Sequence, residues 1–520
     1  MSVSKIVAAA ASGVGGGSNL ALDDVFSTHL WDGTGSAQTI TNGIDLSGEG
    51  GLVWIKKRSG SAQHTLQDTV RGATKHIRSS GDSSESTEAQ TITAFNSNGF
   101  SLGTDDLVNA SSSEYVGWTF RSQPKFCDIL TYTGNGSART ISHNLGSVPA
   151  MIIIKRLNAS SGWSVYHRGV NSGTNPEQYA LELNGTGAQS DDQWMQDTAP
   201  TSTQFSLNTF DSINNNGSTY VAYLFAHHAN DGSDTGFGSD GDSPVIACGY
   251  KTFSGNGEFT IDLGFEAQWV LWKRADDTSD WNIMDMMRPR FDVPASTGGG
   301  QTQVLRPNNA GAEGTNTLYM GPSSSGFGGY NIAGASTWIY MAIAHPVSTS
   351  EEPSDATKVF AVQDGRGASK LFTAGFRVDM FLQGDDTGDD WQLKDRLRQI
   401  YNLATNSSAA QTSDTFYYFD DQTGLVTSSG GGSALAQLTG YMWKRAKGFC
   451  DVLTYTGTGS ATTIAHQLGV VPEMMWIKMQ SSTQNWAVYH KGANGGTDPE
   501  DYALELNSTS AEFNTATYFN

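Results

Sequence analysis

The sequence predicts an all-β protein: tandem antiparallel β-sandwich modules, jelly-roll-like, behind a short unstructured or extended N-terminal tail. Three observations carry this. The stretch FCDILTYTGNG at residues 126–136 returns as FCDVLTYTGTG at 449–459, and residues 126–184 and 449–507 align without a gap at 37 of 59 identical positions. Hydrophobicity alternates with a period of two: in YALELN, Tyr179, Leu181 and Leu183 share one face and Ala180, Glu182 and Asn184 the other, as in a half-buried strand. Turn signals such as Gly134-Asn135-Gly136 and Asn216-Gly217 separate these short runs, the punctuation of a sandwich.

Residues 1–21 read as a small-residue tail on a glycine linker, with Val3, Ile6 and Val7 as candidate docking residues; the apolar run IVAAAA is too short and Ala-rich for a secretion signal. Module 1, residues 22–124, carries WDGTGSAQTITNGIDL, GLVWIKKR and YVGWTFR. Module 2, residues 125–228, carries AMIIIKR, a strand without alternation and therefore covered on both faces, with Lys155 marking its exit to solvent. Residues 229–244 have almost nothing to bury and read as a linker or a long surface loop. Module 3 spans 245–346, and residues 346–357, with two prolines and three acids, form a second candidate hinge. Module 4, residues 347–447, is divergent, and WQLKDRLRQIYNL at 391–403 predicts a helical insertion from Leu393, Leu397, Ile400 and Tyr401. Module 5, residues 448–520, reaches Asn520 before its closing strand, so continuation past Asn520 is expected, or completion by another chain.

Composition narrows the partners. The formal charge of −21 comes from 31 basic and 52 acidic residues, and the basic ones are not clustered. Such a chain releases no phosphate counterions, which argues against nucleic acid. No stretch reaches the 18 or more apolar residues of a membrane helix. A carbohydrate or protein partner fits better.

The reactive side chains read mostly as structure. Cys127, Cys248 and Cys450 occupy one position in three copies, so they give no disulfide framework and read as small buried strand residues. His143 matches His466. Four residues beyond the module tryptophan come His167, Asp285, Asp395 and His490 in turn, an exchange of residue types that a catalytic base would not tolerate. Nucleophile elbows, zinc motifs and phosphate loops are missing, so no catalytic residue and no cofactor is assigned. Calcium is the one ion weighed, on Asp276, Asp277 and Asp280 and on Asp385, Asp386, Asp389 and Asp390; neither loop has a known ligand spacing, and the matching loops lack carboxylates. The aromatic positions Trp163, Tyr166, Trp486 and Tyr489, with His167 and His490 supplying hydrogen bonds, are candidate glycan contacts, against the alternative that the tryptophans fill the core.

The segments DDVFSTHLWDGTGSAQTITNGIDLSGEGGLVWIKKR and FCDILTYTGNGSARTISHNLGSVPAMIIIKR resemble the repeat of large structural proteins of marine tailed bacteriophages, tail fibres and other virion structural proteins, whose module is a lectin-like sandwich of concanavalin/laminin-G type. The resemblance covers residues 22–227 and 448–520 well, the third copy moderately and the fourth poorly. It implies a non-enzymatic protein located on the virion tail or a surface appendage. Its N-terminal tail would dock to other virion proteins, its modules would reach for host surface glycans, and the chain would form a homo-oligomer, trimers being common among such fibres. The other readings are a capsid or tail decoration protein and a secreted bacterial glycan-binding or glycan-cleaving protein.

Overall fold

The structure, a computed structural model, describes residues 20–238, 240–255, 259–288, 302–316, 319–323, 325–330, 334–346, 352–364, 371–385, 390–414, 416–427, 438–515 and 517–519. Its regular secondary structure is mostly strand, in antiparallel sheets, with a few single-turn helices. Val3, Ile6 and Val7 lie outside the described residues.

Module 2 sets the pattern. Its larger sheet runs in the order Cys127–Thr133 (the opening strand), Thr219–Phe225 (the closing strand), Met151–Arg156 (the central strand), Trp163–His167, Tyr179–Glu182 and Ser190–Asp191. The last strand in sequence thus lies between the first and the third, with Phe225 opposite both Cys127 and Met151. A smaller sheet, Arg139–Ser142 with Gln204–Leu207, packs its Ile141 and Phe205 into the core. The glycine turns join the ends: the Gly134 amide donates to Ser218 O at 2.8 Å and the Gly217 amide to Gly134 O at 2.9 Å. Gly136 (φ +69°) and Gly217 (φ +75°) adopt the left-handed conformation that glycine tolerates best.

The same order recurs in module 1 between Phe26 and Arg121, in module 4 between Phe360 and Trp443, and in shorter form in module 3 between Ile246 and Ala344. Module 5 retains the sheet Met474–Ile477, Ala487–His490, Tyr502–Glu505 and Phe513–Asn514, and its segment 451–459 forms no strand.

Three expectations are corrected. Residues 391–403 are not a helix but the strands Gln392–Asp395 and Tyr401–Ala404, with Leu393 paired to Leu403. Asp395 closes the intervening turn by accepting from the Arg398 amide at 2.8 Å, and Gln399 (φ +60°) is left-handed, which interrupts any helix. Lys155 does not exit to solvent; it is fully buried. Within 229–244, Phe237 is also fully buried, against Phe126 and His228. That loop is pinned to the core.

Candidate functional site

The buried lysine gives the first clue to what the modules do together. Lys155 Nζ donates to Arg156 O and Ser161 O, both at 3.0 Å, and to Asp82 O of module 1 at 3.1 Å. At the same position in module 3, Lys273 donates to Ser279 O (2.8 Å) and to Thr186 O of module 2 (3.1 Å). In module 1, Lys56 donates to Lys57 O (2.7 Å) and, at 3.5 Å, to Ala310 O of module 3. Burial pushes all three ammonium groups down to about 8, and only such carbonyl partners make their burial tolerable.

Backbone bonds repeat the same geometry. Ser161 donates its amide to Asp82 O, Ser279 to Thr186 O and Ala62 to Ala310 O, all within 2.8–2.9 Å. In return Glu85 donates to Leu157 O, Gln189 to Ala275 O and Glu313 to Arg58 O, at 2.7–2.9 Å. Module 2 therefore grips module 1, module 3 grips module 2, and module 1 grips module 3. Equivalent residues close three boundaries into a ring.

The positions four beyond the module tryptophan, or beyond His64, which replaces it in module 1, face these boundaries. Asp68 of module 1 accepts from Tyr223 OH of module 2 (2.7 Å) and from Arg71 Nε (2.6 Å). Asp285 of module 3 accepts from Trp118 Nε1 of module 1 (3.0 Å) and from Arg288 Nε (2.8 Å), whose guanidinium lies 5.5 Å from the Trp118 ring centre. His167 of module 2 has Nε2 3.0 Å from Tyr340 O of module 3, while its Nδ1 accepts from the Gly169 amide at 3.0 Å. That pairing fixes Nε2 as the protonated nitrogen, and burial holds the ring neutral, down to about 3. Around the axis, Phe120, Phe225 and Trp269 supply one aromatic ring from each module, with centroids 5.4 and 5.7 Å apart, inside a single core that runs through all three modules.

Modules 4 and 5 repeat one such boundary: Gln484 donates to Ser408 O (2.8 Å), Gln411 to Gln480 O (3.0 Å), and Trp486 Nε1 to Ala404 O (3.0 Å). A buried charge network joins module 4 to the ring. Arg445 pairs with Glu266 of module 3 at 2.8 Å and with Asp451 at 2.9 Å, Arg396 donates to Met286 O at 2.7 Å, and Arg58 reaches Asp420 at 2.6 Å. Burial alone would push the Asp379 carboxyl up, but Arg377, Arg396 and Arg445 around it hold it below the ordinary carboxylate range.

The candidate glycan contacts sit mostly inside this framework. Trp163, Tyr166, His167 and Trp486 are buried, and Trp163 Nε1 donates across the boundary to Arg78 O and Gly81 O at 3.1 Å. Neither face of such an indole is open for a sugar, which corrects the reading of these four as surface contacts. Tyr489 is half-buried against Phe519, and His490 is exposed. The acidic loop of module 3 is engaged locally: Asp276 and Asp277 pair with Arg274, and Asp280 with Arg306. In module 4, Asp386 and Asp389 lie outside the described residues, and Asp390 accepts from Asn406 at 2.8 Å. Among the described residues no three His, Cys, Asp or Glu side chains gather as a metal site. Cys127 and Cys248 are buried free thiols and Cys450 is half-buried.

Sequence reasoning placed Lys155 in solvent and missed the boundary role of the lysines and the Asp-x-x-Arg pairs Asp68–Arg71, Asp285–Arg288 and Asp395–Arg398. The signal was present: a lysine ends the central strand of modules 1, 2, 3 and 5, and the spacing of acid to arginine recurs in modules 1, 3 and 4.

Over residues 22–346 and 442–520 the chain matches a family described as "Domain of unknown function (DUF7483)", and it belongs to that family. No curated protein and no solved structure matches it.

Proposed function

We propose that this DUF7483 chain is a non-enzymatic structural component of a virion, an appendage of the tail-fibre kind that docks through its N-terminal residues and presents its modules toward the host surface. The observation that supports this reading most is the closed ring of modules 1–3. Its ionisable side chains at the boundaries, Lys155, Asp68, His167 and Asp285, are engaged in module-to-module bonds rather than held at a solvent-facing cleft. Such an investment favours rigidity over chemistry. The resemblance of the modules to phage structural repeats supports the virion location of this reading. Any glycan contact falls to residues other than Trp163, Tyr166, His167 and Trp486, which are buried.

The test is positional. Gold-labelled antibody raised against the chain, applied to purified phage particles, is expected to mark tail appendages; label spread over the capsid would make it a decoration protein, and absence from washed particles by mass spectrometry would remove the virion reading.

A further inference from the structure

The three boundaries of the ring share their backbone bonds and their lysines, but differ in the side chain set against the neighbouring closing strand. Between modules 1 and 2 and between modules 3 and 1 that side chain is a carboxylate tied to an arginine: Asp68 with Arg71, and Asp285 with Arg288. Between modules 2 and 3 it is His167, whose Nε2 donates to Tyr340 O at 3.0 Å. Two more histidines of module 2 meet module 3 at the same junction. His227 Nδ1 accepts from the Cys248 amide at 3.3 Å, and His228 Nδ1 accepts from the Val245 amide at 3.1 Å while its Nε2 donates to Lys125 O at 2.7 Å. With His167 Nδ1 accepting from the Gly169 amide, all three rings hold a proton-free nitrogen against a backbone N–H.

A second proton on any of these rings sets donor against donor. His167 and His228 are buried and His227 is half-buried, so the new charge also loses water. The charged groups that face them are mostly cations. Arg168 and His227 face His167; Arg168, His228 and Asp231 face His227; Lys125, itself paired with Asp234, faces His228; and both of these aspartates are exposed. One histidine, His64, stands between modules 3 and 1. Its Nδ1 accepts from Trp54 Nε1 of its own module at 3.0 Å, its ring meets module 3 at the Arg306 backbone, and Lys56 and Arg288 face it. That boundary puts one imidazole at stake against three.

From this asymmetry we infer that the boundary between modules 2 and 3 is an acid-operated seam: proton uptake by His167, His227 and His228 parts the two modules, while the carboxylate–arginine boundaries keep both attached to module 1. In the closed ring burial holds His167 at about 3 and His227 and His228 at about 4, whereas a solvent-facing imidazole takes its proton near about 6.5. The parted form therefore gains roughly tenfold per histidine for each pH unit below that value until the folded limits are reached. Ordinary carboxylates change charge only near about 4, below most of this window.

Two thiols report on the two kinds of boundary. Cys248 begins module 3 against His227, with its Sγ 3.8 Å from Ala226 O of module 2; Cys127 holds the same place in module 2, near Asp68 of module 1; and both are buried. The probe is a dipyridyl disulfide, which exchanges with thiols in acid as well as at neutral pH, applied to the intact 520-residue protein. Each cysteine is followed by peptide mass spectrometry, and each rate is divided by that of the urea-unfolded chain at the same pH. Between about pH 7.5 and about pH 5, Cys248 labelling is expected to rise at least about tenfold and Cys127 labelling less than about twofold. Equal acceleration of both thiols would mean a general loosening of the ring, and acceleration of neither would mean that the seam stays shut; each result overturns the inference. Asparagine keeps an acceptor for the backbone amides but takes no proton. The triple change His167→Asn, His227→Asn and His228→Asn is therefore expected to reduce the acceleration at Cys248 to that at Cys127, and an acceleration that survives it would overturn the inference as well. The comparison of the two thiols in the unaltered protein decides the matter even if the triple variant does not fold.

Discussion

At the scale of single residues, the ring is held by groups whose partners lie in another module. Tyr223→Phe removes the hydroxyl that Asp68 accepts at 2.7 Å, and hydrogen bonds to charged groups contribute about 1.5–3 kcal/mol. Urea unfolding should register a loss of that size, and in the double-mutant cycle with Asp68→Asn the two changes should add to less than their sum. Lys155→Met leaves three carbonyl oxygens without their Nζ donor; a loss of about 1–3 kcal/mol is expected, and an unchanged unfolding midpoint would mean the lysine is dispensable. Lys155 also marks where sequence reading stops. A lysine closing an apolar strand usually carries its charge out to water, and one of the three carbonyls that retain it belongs to Asp82, 73 positions away.

At the scale of elements, the sandwich strands were legible because alternation with period two is a local property. Tyr179–Glu182 and Met151–Arg156 form where the pattern places them. The 391–403 segment misled because two short strands and a compact turn happen to set Leu393, Leu397 and Ile400 at helical spacing, while the Asp395–Arg398 pair that closes the turn has no hydropathy signal. Residues 126–133 and 449–456 give the cleanest case: seven of eight residues agree, and the structure differs because strand state depends on a partner far along the chain. Amide exchange should separate them. The bonded amides of 127–133 are expected to be protected toward the level of the core and those of 453–456 to exchange orders of magnitude faster; equal rates would contradict the absence of a strand at 453–456.

At the scale of the whole molecule, the first three modules do not stack as a linear array in which each touches only its sequence neighbours. They share one core, so damage at the axis should be felt everywhere. Phe225→Ala, a large-to-small change expected to cost about 3–5 kcal/mol, should raise amide exchange in modules 1 and 3 along with module 2; a change confined to module 2 would mean independent units. Acid should loosen the same core. Burial holds His167 at about 3 and His76, His227 and His228 at about 4, below the value of about 6.5 expected when unfolded. Between those limits the unfolded chain takes up protons that the folded chain refuses, so stability is complete above pH 6.5 and falls as pH drops, by about 1 kcal/mol per histidine from pH 6.5 to 5.5. Urea midpoints at the two pH values should record this, with His167→Gln shallower by one histidine. Closure of the ring within one polypeptide has a consequence for its evolution. A homotrimer must accept every substitution three times over, once per subunit, because its interfaces are copies of one gene segment. Here Asp68, His167 and Asp285 occupy equivalent boundaries, and their partners Tyr223, Tyr340 and Trp118 already differ in kind, so each third of the ring is free to acquire its own contacts, and a threefold frame can offer three unlike sides to its surroundings.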